Sequence, residues 1–213
     1  MARVLEDFTT YTETDAPGRI TVNSSIRSTV LDGDRDEAFY LYFDKGVDFF
    51  NGDFEHWATF NATDNALYAG AYWGVSNSVA AFAQQTNSIA LFSGNAVVFL
   101  IRERDGGTEY DSGVYSFTGG TDYYFKLIRD EAIGTYGTMY AYIYSDVGRT
   151  NLLSTLSLAL HSSKKDFRYI YAVQGYNDGV GGRDWDGYID SLSLSEAVAN
   201  SAFLTFMGPQ PQQ

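Results

Sequence analysis

Short runs of aromatic and β-branched residues recur along this chain at close intervals. Each run has the length and the alternating or continuously apolar pattern of a strand, and clusters of Gly, Asn, Asp and Ser separate the runs. Many short strands with turn signals between them indicate a β-sandwich or a barrel. The predicted strands are Val4–Tyr11, Ile20–Val22, Ile26–Val30, Phe39–Phe43, Phe54–Phe60, Leu67–Gly74, Val79–Gln84, Ser88–Phe92, Val97–Arg104, Thr108–Tyr115, Tyr123–Asp130, Thr138–Ser145, Leu152–Leu158, Phe167–Gln174 and Gly187–Leu194.

The composition agrees with an all-β fold of one domain. The 213 residues include 17 Tyr, 15 Phe and 21 Gly but only 3 Pro and 3 Met. Aromatic side chains suit a half-buried pleated surface, and Gly supplies turns. No internal repeat or charge block marks a second domain. We therefore predict one domain over residues 1–207, and a polar, proline-broken tail over residues 208–213 that is flexible unless a partner holds it.

The charge and the apolar stretches exclude two classes of partner. The net charge of −13 repels phosphate backbones, so no nucleic-acid partner is expected. The longest apolar stretch, Ala96–Ile101, is too short to span a bilayer, and the N-terminus lacks the apolar region of a signal peptide. We predict a soluble protein without membrane insertion, associated with a virion or extracellular after release.

The C-terminal run and a central hairpin carry a pattern known from other proteins. The run Trp185–Leu194 contains Gly-x-Ile-Asp followed by alternating apolar residues. The segments Tyr123–Asp130 and Thr138–Tyr144 are joined by a Gly-containing turn, and Leu5–Phe8 suits a first strand beside the last one. In these features the chain resembles the concanavalin A-like, laminin-G-like jelly rolls. The resemblance covers nearly the whole chain and implies an all-β, two-sheet antiparallel jelly-roll β-sandwich.

The resemblance does not imply one function, because this fold carries lectins, glucanases, adhesion modules and virion proteins. The laminarinase-type glucanases place Glu-x-Asp-x-x-Glu on one strand, so that the carboxylates share a sheet face. The nearest match, Glu109–Val114, has Val where the last carboxylate belongs. His56 lies on the apolar face of its predicted strand and His161 at a turn, so neither indicates a nucleophilic triad. We predict a chain that is not an enzyme and has no catalytic residues.

Two acidic loops are candidates for calcium binding. Carboxylates at alternating positions suit an oxygen-liganded Ca²⁺ site, and related jelly rolls often bind calcium at their loop rims. The loop at Asp32–Glu37 departs from the EF-hand pattern, because Glu37 stands where that pattern has Gly. Solvated acidic turns are the alternative, and no cofactor is required. The candidate ligands are Asp32, Asp34, Asp36, Asp184 and Asp186.

Aromatic residues on a solvent-facing sheet surface are the main functional signal. Tyr140, Tyr142 and Tyr144 alternate with apolar residues, and Glu55 and Trp57 lie on the wet face of their own strand. If the strands share a sheet, Trp57 would join this stripe. Tyr40 and Tyr42 form a similar pair that would join it under the same condition.

Turn residues near the predicted rim extend the candidate glycan site. Four residues are assigned to this rim: Trp73, Tyr176, Asn177 and Trp185. The aromatic face has three interpretations that the sequence leaves open: sugar stacking, burial against a neighbouring subunit, or ordinary use of Tyr on a half-exposed sheet.

These observations lead to one combined hypothesis. The chain is a non-catalytic, lectin-like β-sandwich for surface recognition by glycan binding, or for assembly on a virion or other particle. The expected partners are a glycan or a protein surface, with a homo-oligomer or a particle neighbour contacted through the tail. The alternatives are a structural or decoration subunit that binds no sugar and, ranked lower, an endo-glycosidase.

Overall fold

Two antiparallel sheets make up nearly all regular structure in the computed structural model, which describes residues 3–65, 70–94, 97–162, 167–182 and 184–196. Sheet A contains the strands β1 (Val4–Leu5), β3 (Ile20–Ser24), β4 (Arg27–Asp34), β6 (Phe54–Asn65), β12 (Thr121–Asp130), β13 (Thr138–Tyr144), β14 (Leu152–Ala159) and β16 (Asp184–Glu196). Sheet B contains the strands β2 (Thr12–Asp15), β5 (Phe39–Asp44), β7 (Gly70–Ser76), β8 (Ser88–Gly94), β9 (Val98–Asp105), β10 (Thr108–Asp111), β11 (Tyr115–Ser116) and β15 (Tyr169–Gly175). The predicted fold class, a two-sheet antiparallel β-sandwich, is confirmed.

The strand order places β6, β12 and β16 in the interior of sheet A. Its order is β14-β13-β12-β6-β16-β4-β3, with β1 paired to β16, and sheet B runs β10-β9-β8-β7-β15-β5-β2, with β11 paired to β9. The predicted closing strand is confirmed as part of β16. The predicted pairing of the first strand with the last is also confirmed, since Val4 lies opposite Leu194 and Leu5 opposite Ser193.

The core lies between the two sheets and is rich in aromatic rings. Trp185 is fully buried, stacks on Phe39 with ring centroids 5.7 Å apart, and meets Tyr72 edge-on at 4.9 Å. His56 is also fully buried, and its Nδ1 accepts a hydrogen bond of 3.2 Å from the indole of Trp73. The core position predicted for His56 is therefore confirmed, and its polar ring is satisfied inside the core.

The alternation along β6, β12 and β13 sets which side chains face outward from sheet A. On β13, Met139, Ala141 and Ile143 are buried while Tyr140 and Tyr142 are half-buried. The register of β13 against β14 shifts between Ile143 and Tyr144, and Tyr144 is more deeply buried than the other two tyrosines. Apart from this bulge, the predicted alternation of β13 is confirmed.

Two predicted strands are wrong in whole or in part. Val4–Tyr11 is a strand only at Val4–Leu5, and Phe8–Thr10 forms a 3₁₀ turn. Val79–Gln84 forms no strand but contains a short 3₁₀ turn, Phe82–Gln84, within the connection between β7 and β8. Phe82 is fully buried in a second apolar cluster with Ala90, Phe92 and Tyr176. A short apolar run predicts burial but not strand pairing, and here packing against a sheet face supplies that burial.

The predicted tail, residues 208–213, lies outside the described residues. Within the part of the chain that the structure describes, no helix has the length and apolar character required to cross a bilayer.

Candidate functional site

The outward face of sheet A brings the predicted aromatic residues together in a grid. Lys126 on β12 pairs with Trp57 on β6 and with Tyr142 on β13. Ile128 likewise lies between Glu55 and Tyr140. Neighbouring strands are about 4.8 Å apart, so Trp57 and Tyr142 are roughly 10 Å apart across the face. The sequence-based grouping of Trp57 with the tyrosines of β13 is therefore confirmed.

Tyr124 adds a further ring to this face. It lies opposite Tyr144 on β13 and Thr59 on β6. Tyr140 and Tyr142 stack with their centroids 6.0 Å apart and an interplanar angle of 26°. Burial raises the pKa of Tyr142, with a further contribution from Tyr140, so the phenol stays protonated at neutral pH. These hydroxyls can both donate and accept hydrogen bonds.

Lysine 126 lies at the centre of these rings. The ammonium nitrogen of Lys126 is 4.8 Å from the ring centroid of Trp57 and 5.2 Å from that of Tyr144. Both distances are within the range of a cation–π contact. The contacts hold the charged end of Lys126 among the rings instead of letting it extend freely into water.

Arg149 reaches the same face from the loop between β13 and β14. The carboxylate of Asp146 shapes this loop by accepting hydrogen bonds from the backbone N–H groups of Thr150 and Asn151. These backbone donors hold the pKa of Asp146 below its usual range. Arg149 has a φ of 53°, a left-handed conformation that is uncommon for a residue other than Gly. The loop thereby directs the side chain of Arg149 back over the sheet.

The guanidinium of Arg149 is held by backbone carbonyls. Its Nε donates to the carbonyl oxygen of Phe125 at 3.1 Å, its Nη2 to that of Ala58 at 3.1 Å and its Nη1 to that of Val147 at 3.1 Å. Its Cζ is 4.5 Å from the ring centroid of Trp57. Burial lowers the pKa of Arg149 to about 10, and the nearby charge of Arg3 acts in the same direction. The group therefore remains cationic at neutral pH.

Arg3 covers one predicted stacking surface. Its guanidinium carbon is 3.3 Å from the ring centroid of Trp57, and its Nη1 donates to Glu55 at 3.2 Å. The same Glu55 oxygen accepts the indole N–H of Trp57 at 2.5 Å. The indole is therefore oriented by Glu55 and covered by Arg3, which leaves Tyr140 and Tyr142 as the more open rings.

We call the set of Trp57, Tyr124, Lys126, Tyr140, Tyr142, Tyr144 and Arg149 the aromatic–cation patch. Within the described residues, neither Lys126 nor Arg149 forms an ion pair with a carboxylate. Asp146 acts electrostatically on Arg149, but its oxygens accept hydrogen bonds from its own loop. The patch is thus locally cationic on a chain whose net charge is −13.

A surface cleft of about 300 Å³ adjoins the patch at Glu55 and Ile128. Three carboxylates line it, and each accepts a hydrogen bond within the chain. Asp53 accepts from the backbone N–H of Glu131, Asp130 from that of Ala132, and Glu55 from Trp57 and Arg3. Each of the three carboxylates is therefore held in place by a hydrogen bond from another group of the chain.

Tyr40 and Tyr42 do not belong to this face, because their strand β5 lies in sheet B. They form a separate cluster with Tyr169 and Tyr171 on β15, with ring centroids 5.8 to 6.1 Å apart. The condition for their joining the stripe, a shared sheet, is not met, so they do not extend it. The alternating pattern predicts which side chains of a strand face outward from its sheet, but it does not predict which of the two sheets the strand joins.

Three of the four predicted rim residues are buried. Trp73 and Trp185 lie within strands and are fully buried, so their assignment to an exposed rim is wrong. Tyr176 is 5% exposed, and its hydroxyl donates to Glu109. Asn177 is half-buried with a φ of 57°, and its backbone N–H donates to the carbonyl oxygen of Arg35 at 2.6 Å. The rings of Trp73, Trp185 and Tyr176 are buried because burial removes a large apolar area of each ring from water.

Two of the predicted calcium ligands have carboxylates that accept backbone hydrogen bonds. Asp186 accepts the backbone N–H of Asp32 at 2.6 Å, and Asp34 accepts that of Gly182 at 2.9 Å. Asp36 is exposed in the same loop, and the side chain of Asp184 lies outside the described residues. Over the described ranges, no three acidic or histidine side chains form a group able to hold a metal ion. Calcium binding therefore stays a prediction without geometric support.

The residues nearest to the glucanase motif are held by arginines. Arg102 donates to both carboxylate oxygens of Asp111, at 2.6 and 2.7 Å, and also pairs with Glu109 at 3.0 Å. Arg104 donates to Glu109 as well. His161 is partly exposed, stacks on Tyr110 with centroids 3.5 Å apart, and pairs with Glu103 at 2.8 Å. Burial raises the pKa of Glu103, the group that fixes the turn at His161.

Sequence reasoning missed Lys126, Tyr124 and Arg149. A signal existed for the first two, because Tyr124, Lys126 and Ile128 alternate with the buried residues of β12. No local pattern indicated Arg149, because its position depends on a loop that folds over two strands.

No protein-family model matches the chain, and no curated protein matches its sequence. Solved structures match the fold. The exoplasmic/lumenal domain of VIP36, in a Ca²⁺/Man3GlcNAc-bound form, aligns with a TM-score of 0.57 at 10% identity over 88% of this chain and 83% of that chain. The carbohydrate recognition domain of Emp46p aligns with a TM-score of 0.55 at 10% identity over 88% of each chain.

An enzyme matches at a similar level. A mutant of the alginate lyase Aly36B in complex with alginate tetrasaccharide aligns with a TM-score of 0.53 at 13% identity, over 92% of this chain and 97% of that chain. At these identities the likeness concerns the fold alone. The chain has a lectin-like jelly-roll fold, and the chemistry of its own residues must carry any argument about function.

Proposed function

We propose that this protein is a non-catalytic, lectin-like module that binds a glycan on the aromatic–cation patch of sheet A. The observation that carries the proposal is the row Trp57–Lys126–Tyr142, in which aromatic rings flank a hydrogen-bond donor across three adjacent strands. Because Arg3 covers Trp57, Tyr140 and Tyr142 offer the stacking surface to the apolar face of a sugar, and the tyrosine and lysine groups offer hydrogen bonds to its hydroxyls.

The dimensions of the patch suit an oligosaccharide. The roughly 10 Å between Trp57 and Tyr142 exceeds the width of one sugar ring. Tyr140 and Tyr142 form the open end of this surface. The ligand lies across the strands, with its rings against the tyrosines.

The proposal that binding occurs without catalysis rests on how the carboxylates are used. Glycosidases need one acid that can give up a proton and a second carboxylate that acts as nucleophile or base. Glu55 is fixed by Trp57 and Arg3, and Glu109 by two arginines. Turnover of a β-glucan that falls when Glu55 is replaced by Gln would contradict this part of the proposal.

The binding proposal is tested by a broad glycan array followed by titration calorimetry of the best ligand. Tyr142→Ala should weaken binding about tenfold, because an aromatic ring that stacks directly on the ligand typically contributes that much. Tyr42→Ala is the matched control, since Tyr42 is also half-buried on an outer sheet face but lies in sheet B.

The outcomes separate the two faces. Loss with Tyr142→Ala and unchanged binding with Tyr42→Ala supports the site on sheet A. The reverse result would place the glycan on sheet B, and the absence of binding to any glycan on the array would overturn the proposal. Circular dichroism spectra of both variants show whether each retains the fold.

The tyrosine cluster of sheet B favours a second candidate function. Tyr40, Tyr42 and Tyr169 are half-buried, and tyrosine is enriched in protein–protein interfaces. A structural or decoration subunit would use such a surface to contact its neighbour. Sedimentation of the full chain over a range of concentrations, with and without Tyr42→Ala, distinguishes this candidate, because an assembly through sheet B would dissociate in the variant.

A further inference from the structure

The cations of the patch narrow the class of glycan. Lys126 and Arg149 both lie beside Trp57, and neither pairs with a carboxylate among the described residues. Most other arginines of the described chain do form such pairs, including Arg19 with Glu37, Arg27 with Asp190, Arg35 with Asp178 and Arg168 with Asp44. The ammonium of Lys126 and the guanidinium carbon of Arg149 lie 4.8 and 4.5 Å from the ring centroid of Trp57, so an anion that binds beside this ring is attracted by both charges.

Arg149 has donors left over for a ligand. A guanidinium carries five N–H groups, one on Nε and two on each Nη. Three of these N–H groups, one on each nitrogen, donate to the backbone carbonyls of Phe125, Ala58 and Val147. One N–H remains on each Nη. Two remaining donors match the two oxygens of a carboxylate, and such charge-assisted bonds are among the strongest polar contacts.

The surroundings strengthen this preference. Arg149 is fixed by three hydrogen bonds and Lys126 by two rings, so little side-chain freedom is lost when a ligand binds. The rest of the chain is strongly acidic, with a net charge of −13. Polyanions are therefore repelled except where this patch lies, which gives the site selectivity for ligands that also fit its aromatic rings.

Resting on the proposed function, we infer that the glycan is acidic and that a uronate carboxylate binds between Lys126 and Arg149 while its sugar ring packs on Tyr142. A sulfated glycan is the competing ligand of the same charge. A sulfate ester can also present two oxygens to the two free donors of Arg149, so the comparison with dextran sulfate decides between the two ligands.

The experiment compares ligands that differ only in charge. Polygalacturonate and its fully methyl-esterified form share one sugar chain, and dextran and dextran sulfate form a second pair. We expect the protein to bind polygalacturonate, and this binding should weaken as the NaCl concentration is raised. Binding to the esterified polymer should be at least about tenfold weaker than binding to polygalacturonate. Binding to dextran sulfate should also be weaker than binding to polygalacturonate.

The matched variants locate the charge. Lys126→Met keeps the apolar stem and removes the ammonium, and it should weaken binding of polygalacturonate about tenfold. Arg168→Gln removes one positive charge from an ion pair outside the patch and should leave binding unchanged. Because Arg149 also supports its loop, Lys126→Met is the primary variant, and its thermal melting curve shows whether the fold is intact.

Each outcome has a distinct meaning. Equal binding of the free and esterified polymers keeps the proposed function and overturns the acidic-glycan inference. Preferential binding of dextran sulfate also overturns the uronate assignment. Unchanged binding by Lys126→Met overturns the location, and no binding to any glycan overturns the proposed function itself.

Discussion

Replacement of Trp185 by alanine should destabilise the protein severely while leaving the aromatic–cation patch untouched. The indole of Trp185 is fully buried between the sheets, stacked on Phe39 and edge-on to Tyr72. Truncation of a buried tryptophan to alanine costs about 3–5 kcal/mol, since transfer energy is lost and a cavity remains. Native domains have only about 5–15 kcal/mol of stability in total, so much of it would be lost.

Phenylalanine at the same position gives the sharper test. Trp185→Phe keeps one aromatic ring against Phe39 and removes two carbons, which costs roughly 1.6 kcal/mol at about 0.8 kcal/mol for each buried group. The indole nitrogen of Trp185 has no hydrogen-bond acceptor among the described residues. Its removal relieves an unsatisfied buried donor, which is worth about 1–3 kcal/mol in the opposite direction. The two terms offset each other, so we expect a net change within about 1.5 kcal/mol.

Urea denaturation followed by far-UV circular dichroism measures both variants. We expect the urea midpoints of wild type and Trp185→Phe to be close to each other and the midpoint of Trp185→Ala to be far lower. The dependence of the free energy of unfolding on urea concentration should be similar for all three proteins. If Trp185→Phe is as unstable as Trp185→Ala, the indole N–H makes a hydrogen bond in solution. If Trp185→Ala is as stable as wild type, Trp185 does not lie in the core, and the packing described above is incorrect.

Two further predictions concern a glycine and an ion pair. Gly187→Ala should destabilise the protein by about 1–3 kcal/mol in thermal or urea unfolding, because an added Cβ would overlap the hydroxyl of Tyr72 and a backbone carbonyl. Gly113 has open space around it, so Gly113→Ala should be neutral and serves as the control. Arg19 lowers the pKa of Glu37 by donating hydrogen bonds to it, so this group contributes stability above its unfolded-state pKa and loses it as the pH falls through the lowered value. Glu37→Gln should therefore flatten the acid side of the stability–pH profile, and an unchanged profile would contradict the role of this pair.

Much of the sheet structure was predictable because its signals are local. Alternation with a period of two predicts the buried and exposed faces of β13, and it predicts the core position of His56 without reference to any tertiary contact. The closing strand was recognisable from the run at Trp185–Leu194, and its extent was correct to within a few residues. Local periodicity gave the wrong element at Val79–Gln84, because this apolar run is buried without pairing in a sheet.

The sequence by itself therefore determined an all-β sandwich, its main strands, and a tyrosine-lined outer surface. Only the tertiary structure decided that Tyr42 lies in one sheet and Tyr142 in the other. It also decided that Trp185 is buried while Trp57 faces outward, and that Arg149 folds over the same surface. The physical reason is that the neighbours of a residue across a sheet come from distant segments of chain, and strand order, register and loop geometry are set by the packing of the whole domain.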